Sequence, residues 1–288
     1  MDQQSQSLID ADFYGYLPSK SAALFGIIYF GVSTTICLLQ IVFGPYKHYW
    51  MLTLALAASG EAIGWGARLW AHNSPSDWMP FMIQICSLMI SPVFISAAQY
   101  VLFCKIVEKA GRRLFSIPSK SLWIGFVIID VISLSIQTVG GVEVSSAQDL
   151  VDLNHGSDVM RSGIIFQFSN TVLFTVLLLG AAASLKRRNI PLSSVARWPI
   201  IVALCLSTLM ILIRNAYRIL ELGGGWNGHL MRTEIYLIGY DMVPIALAVG
   251  ICVIFSPNFF LSPIEKEVAL SLSTWRGLTQ DSESSCFN

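Results

Sequence analysis

Seven apolar runs of 21 to 26 residues follow one another along the chain: Ala22 to Val42, Tyr49 to Trp70, Met79 to Cys104, Ser121 to Gly141, Ser162 to Leu185, Trp198 to Leu222 and Glu234 to Pro257. A hydrocarbon core of about 30 Å takes roughly 20 residues of α-helix to cross. The runs are continuously apolar, not alternating, and about twice the length of a barrel strand. In lipid a helix satisfies its own backbone polar groups. The pattern predicts an all-α polytopic membrane protein with seven transmembrane helices.

Composition agrees. Of 288 residues, 54% are hydrophobic and 12% charged, against about 25% charged in soluble domains, and the mean hydropathy is +0.62. Eighteen basic residues balance eighteen acidic ones, so nothing points to nucleic acid as a partner. The first 21 residues carry Asp2, Asp10 and Asp12 and no basic region ahead of a short apolar stretch, unlike a cleaved signal. Five of the six cysteines (Cys37, Cys86, Cys104, Cys205, Cys252) fall in apolar runs and Cys286 in the tail. They read as small hydrophobes, not as disulfide pairs.

The basic residues set an orientation. With the amino terminus outside, the inner segments hold Lys47, the group from Lys105 to Lys120, the group from Lys186 to Arg197, then Lys266 and Arg276, twelve in all; the outer segments hold only Lys20, Arg161 and Arg232. The expected organisation is an extracellular tail over 1–21, a seven-helix domain over 22–257 and a cytoplasmic, partly disordered tail over 258–288. The plasma membrane suits spans of this length.

Eight ionisable residues remain inside the spans: Glu61, Arg68, Asp130, Arg214, Arg218, Glu221, Glu234 and Asp241. Each costs about 2.5–3.5 kcal/mol to insert and is by default a functional candidate. Glu61 and Arg68, Asp130 and Gln137, Arg214 and Glu221, and Glu234 and Asp241 are all seven apart, which returns to within about 20° of the same helix face. Helices 2, 4, 6 and 7 thus each carry a polar stripe. Glu61 and Asp130 fall near mid-membrane and the others in the outer half, with Gln167 of helix 5 at similar depth. Facing stripes would line a polar cavity, in which five carboxylates against three guanidiniums leave two acids to be protonated, solvated or matched by an incoming cation. Any one of these residues serves equally well as an interhelical contact that only fixes packing.

Pro92 and Pro244 lie within helices 3 and 7, where a tolerated bend without function is the leading reading and backbone carbonyls freed toward the interior the alternative. Small residues from Ala55 to Gly66 and at Gly140-Gly141 suit close helix contact. His72, His155 and His229 lie on separate loops without ligand spacing, and no phosphate-loop or hydrolase signature occurs. No metal, cofactor or catalytic residue is expected.

Six segments in order resemble the fungal RTA-like lipid-translocating exporter family: Tyr14 to Ser19, Glu61 to Arg68, Ser91-Pro92 to Gln99-Tyr100, Asp130 through Gln137 to Gly140-Gly141, Arg214 to Arg218 and Glu221, and Glu234 to Tyr240-Asp241. The likeness covers about residues 14 to 257. It departs at Trp65, where an aromatic Tyr is expected, and at Thr138-Val139 before two glycines in place of three. The resemblance implies tolerance to aminocholesterol and release of sphingoid long-chain bases. Both point to an exporter of lipids or cationic amphiphiles, with Glu61, Arg68, Asp130, Gln137, Gln167, Arg214, Arg218, Glu221, Glu234 and Asp241 as candidate binding residues. Two alternatives stand beside it. One is a seven-helix sensor or regulator of lipid asymmetry that engages a cytoplasmic protein through its basic inner loops. The other is a lipid-modifying enzyme using Glu61 and Asp130 as acid and base.

Overall fold

The computed structural model describes residues 17–44, 49–74, 77–109, 119–147, 149–187, 197–224, 229–231 and 233–255. The tail through Tyr16, the segments holding Lys47, Arg112 and Arg113, and the tail after Phe255 lie outside them. Every element among the described residues is helical: α1 (Lys20–Phe43), α2 (Leu52–Asn73) after a 3-10 turn at Tyr49–Met51, α3 (Trp78–Lys109), α4 (Ser119–Ser146), α5 (Leu150–Arg187), α6 (Arg197–Gly223) and α7 (Glu234–Ile254). Six of these are long and apolar enough to cross a membrane. The exception is α2, whose Ala, Gly and Ser residues, together with Glu61 and Arg68, dilute its hydropathy.

The bundle is inverted relative to a soluble protein. Phe25, Ile28 and Val32 of α1 and Leu173, Val176 and Leu179 of α5 face outward, while Glu61, Arg68, Asp130, Arg214, Arg218, Glu221 and Asp241 are all buried. An aliphatic shell over a charged interior is stable only in an apolar solvent. The chain is therefore an integral, multi-pass membrane protein.

Sequential helices pack as neighbours, and glycine sets how closely. A Cβ on Gly140 of α4 would lie 2.5 Å from the Met160 backbone nitrogen, and one on Gly163 of α5 would lie 2.9 Å from the Ser133 carbonyl oxygen. The falling partner numbers show the two helices antiparallel. Gly26 of α1 likewise yields its space to Trp65, 2.5 Å from the position of the absent Cβ.

The first helix also meets the last. The Tyr29 hydroxyl donates to the Ala246 carbonyl at 2.7 Å, the Gln40 amide donates to the Val253 carbonyl at 3.3 Å, and the Ser19 N–H ahead of α1 donates to Glu234 Oε1 at 2.8 Å. The seam between α1 and α7 is thus held at three levels.

Three helices run well past the apolar runs that signalled them, α3 by continuing from Cys104 to Lys109. The fifth begins at Leu150, not near Ser162, and takes in Asp152, Asp158 and Arg161; the fourth continues to Ser146. Hydropathy registers the thickness of the bilayer, whereas helices continue into water wherever pairing supports them. Here Gly156 packs against Val144, and His155 lies 3.1 Å from Glu143.

Candidate functional site

Three residues of α6 build the centre of the charged group. Arg214 and Arg218 are one turn apart and Glu221 is three residues on, so all share one face. Asp241 of α7 stands opposite them. Arg218 grips it with two parallel bonds, Nε to Oδ1 at 3.1 Å and Nη2 to Oδ2 at 2.6 Å, and reaches Glu221 through Nη1 at 3.0 Å. Arg214 approaches the same carboxylate, Nε to Oδ1 at 2.9 Å, and the Tyr217 hydroxyl donates to the other oxygen of Glu221 at 3.1 Å. Paired and hydrogen-bonded in this way, buried charges meet the condition for tolerating desolvation.

Backbone irregularities place these partners. Pro92 has no N–H, so the carbonyl four residues earlier, that of Leu88, is left without its helical donor. Arg214 Nη2 donates to it, tying α6 to α3 at the acceptor the proline leaves. On α7, Ile238–Met242 form a π turn just ahead of Pro244, closed by the Val243 N–H to the Ile238 carbonyl. The wider turn carries Asp241. Of the two readings of the prolines, a bend without function and carbonyls freed inward, the second holds at Leu88, whose carbonyl is taken by Arg214.

Nearer the end of the bundle where α1 begins, Arg68 Nη2 of α2 meets Glu234 Oε1 at 2.7 Å, and Arg68 also lies 5.7 Å from the Trp65 ring centre. The same Glu234 oxygen accepts from the Ser19 N–H. One turn beyond Arg68, His72 Nδ1 lies 2.8 Å from the Pro18 carbonyl.

Glu61 differs from the other acids of the group. It is 2% exposed, within electrostatic reach of Arg214, Asp241 and Arg218, yet its Oε1 accepts no hydrogen bond and it forms no ion pair among the described residues. Its guanidinium neighbours are turned to Asp241, Glu221 and the Leu88 carbonyl.

Asp130, Gln137 and Gln167 stand on a separate interface, between α4 and α5. Gln137 Nε2 donates to Gln167 Oε1 at 2.9 Å. About two turns along, Asp130 accepts from Tyr100 of α3 at 2.9 Å and from Asn170 of α5 at 2.8 Å, beneath an aromatic group in which Tyr100 and Phe174 stack edge to face. The stripes thus divide between two columns on either side of α3. The two acids left over by the charge count are Glu61, which forms no ion pair among the described residues, and Asp130, which is held by neutral donors. Within the first column no charged residue on α2 or α6, nor Asp241, is more than 8% exposed; these side chains fill the level between the helices with contacts to one another.

Tyr100 and Asn170 are not among the candidate binding residues, because neither stands at the seven-residue spacing from a charged residue that marked the polar stripes, although Tyr100 lies in a segment of the family resemblance. Gln99, noted only as part of the family resemblance and not as a candidate binding residue, donates through Nε2 to Ser207 at 2.7 Å and accepts at Oε1 from Thr208 at 3.3 Å. A buried amide in mid-span was the available signal.

Residues 54–263, well over half the chain, match the family described as RTA1 like protein. The chain is 26% identical over 283 residues to the sphingoid long-chain base transporter RSB1 of Saccharomyces cerevisiae, covering 85% of this chain and 73% of that protein. It is 25% identical over 281 residues to protoporphyrin uptake protein 1 of the same species, covering 84% and 92%, and 24% identical over 299 residues to protein RTM1, covering 88% and 95%. No solved structure matches.

Proposed function

The chain belongs to the RTA1-like family, and from that premise we propose that it is a seven-span transporter of a membrane-soluble amphiphile bearing a cationic group. The observation that carries this reading is Glu61. Around it, the guanidiniums of Arg68, Arg214 and Arg218 face the carboxylates of Glu61, Glu221, Glu234 and Asp241, which leaves one acid over, and Glu61 is the one in no ion pair among the described residues, with only Trp65 beside it as a hydrogen-bonding side chain. A buried carboxylate in that condition favours an ammonium. A sphingoid base is an alkyl chain with an amine, and a relative at 26% identity is named for transporting it.

The proposed arrangement puts the amino terminus outside and α2 across the membrane with the other six helices, so that Glu61 lies near the midplane. Access to Glu61 requires α2 and the π turn of α7 to part. Irregular helix segments lining a midplane site are the usual means in transporters. The plasma membrane is the proposed location, and tolerance to toxic amphiphiles the proposed consequence.

The test is efflux of a fluorescent long-chain base from liposomes holding the purified protein. Wild type accelerates release and Glu61→Gln does not; equal rates for the two sink the assignment. Cysteines placed at Lys20 and at Tyr49 test the topology, the first reacting with an impermeant reagent from outside cells and the second only from inside.

A further inference from the structure

Across α3 from Glu61, Asp130 of α4 is 1% exposed, and the groups that face it are neutral. From α3 comes the Tyr100 phenol, which donates to Oδ2 at 2.9 Å. From α5 comes the Asn170 amide, which donates to Oδ1 at 2.8 Å and to the Phe126 carbonyl at 3.2 Å. Among the described residues these two are the groups that act on the carboxyl, and no lysine, arginine or histidine joins them. The rings of Phe126 and Phe174 pack on Tyr100, their centres 5.1 and 4.6 Å from its own, and exclude water from the site. A carboxylate with no cation to match it is costly in such a place, whereas the neutral acid is not.

An acid brings an O–H that needs an acceptor of its own, and a phenol both donates and accepts. The surroundings of Tyr100 let it change roles. Ser96, one turn before Tyr100 on the same face of α3, stands beside the Tyr100 hydroxyl; it is 1% exposed, and its Oγ has no hydrogen bond. Thr171 of α5 stands beside the same hydroxyl and gives its own O–H to the Gln167 carbonyl at 3.0 Å, which leaves its oxygen able to accept. With a proton on Asp130 Oδ2, the carboxyl donates to the Tyr100 oxygen and the Tyr100 O–H turns to Ser96 or Thr171. With the proton gone, Tyr100 turns back to Oδ2. Loading makes one O–H bond at Oδ2, with solvent water as the source of the proton, and breaks none in the protein. In both states Asn170 holds Oδ1.

We propose that Asp130 is a proton-binding site, occupied at neutral pH, in which the reversible Tyr100 hydroxyl and the unbonded Ser96 oxygen accommodate the carboxylic acid. The two acids left over by the charge count then differ in what they take: Asp130 is reserved for a proton, not for a cationic head group. The site holds whether or not a transported molecule engages Glu61.

The test is infrared spectroscopy of the purified full chain in nanodiscs at neutral pH, which separates the carbonyl stretch of a protonated carboxyl from the stretches of a carboxylate. Wild type is expected to show an acid band that Asp130→Asn lacks and Glu61→Gln keeps. Aspartate labelled with carbon-13 at the side-chain carboxyl moves the same band to lower frequency in the unmutated protein, a readout that serves where Asp130→Asn lowers the yield of folded chain. Tyr100→Phe takes away the acceptor and moves the band to higher frequency. Ser96→Ala, which touches Tyr100 and not the carboxyl, moves it by less. The site is overturned if no acid band is present at neutral pH, if Asp130→Asn keeps every acid band of wild type, or if labelled aspartate moves none of them. A band that Asp130→Asn removes but that Tyr100→Phe and Ser96→Ala leave in place overturns the role of the hydroxyls.

Discussion

Arg218 holds Asp241 in a two-pronged grip across the α6–α7 interface, Nε to Oδ1 at 3.1 Å and Nη2 to Oδ2 at 2.6 Å, with Asp241 2% exposed. Removing one member of a buried pair strands the other. Asp241→Ala is expected to destabilise the fold by about 3–5 kcal/mol, because Arg214 loses its carboxylate and Arg218 loses the two-pronged one of its two. Arg218→Lys keeps the charge but not the fork and falls between Ala and wild type. Apparent Tm of the purified variants in one detergent gives the order; an Arg218→Lys protein as stable as wild type removes the geometric part of this account.

Glu61→Gln is expected to behave in the opposite way. Its carboxylate has no ion-pair partner and its Oε1 no donor, so an amide of the same size costs less than about 1.5 kcal/mol, while transport is lost. A drop in Tm as large as that of Asp241→Ala marks Glu61 as a packing residue.

Gly140 and Gly141 are adjacent and chemically identical, yet they are predicted to differ. A Cβ at 140 meets the backbone of Met160 at 2.5 Å and of Gly156 at 2.6 Å, whereas one at 141 meets nothing within 4 Å. Gly140→Ala pushes α4 from α5 and costs about 1–3 kcal/mol; Gly141→Ala is neutral or gains slightly from helix propensity. Parallel thermal unfolding of the two variants suffices, and equal effects would show that the helices do not approach at this point.

Tyr100→Phe removes the donor to Asp130 Oδ2 and leaves a buried acceptor short of one bond, at about 1–3 kcal/mol. In a double-mutant cycle with Asn170→Ala, which removes the donor to Oδ1, the two losses are coupled by at least about 0.5 kcal/mol. Strict additivity over several preparations argues that the three side chains do not form one network.

The helices were legible from the chain because each apolar run is long and uninterrupted, and the start of α1 at Lys20 and the end of α6 at Gly223 lie within two residues of the apolar runs that mark them. The seven-residue spacing marked which face of each helix is polar, and Glu61, Arg68, Arg214, Arg218, Glu221, Glu234 and Asp241 do share one column. Spacing along a helix carries no information on how helices turn toward one another. That is why Asp130, Gln137 and Gln167, with the same periodicity, end on the far side of α3 among neutral donors. The pairing of Arg214 with the Leu88 carbonyl was half legible: Pro92 announces a free acceptor, but not which cation on another helix will take it.

The three bonds between α1 and α7 join groups 213 to 217 residues apart in the chain. Helices are made in order, so α1 is threaded into the membrane long before Glu234, Ala246 and Val253 exist. Until then Tyr29 and the backbone at Ser19 lack the contacts that α7 will provide. The ring closes only once α7 is made, and a chain stopped after α6 would carry its defect on the helix made first.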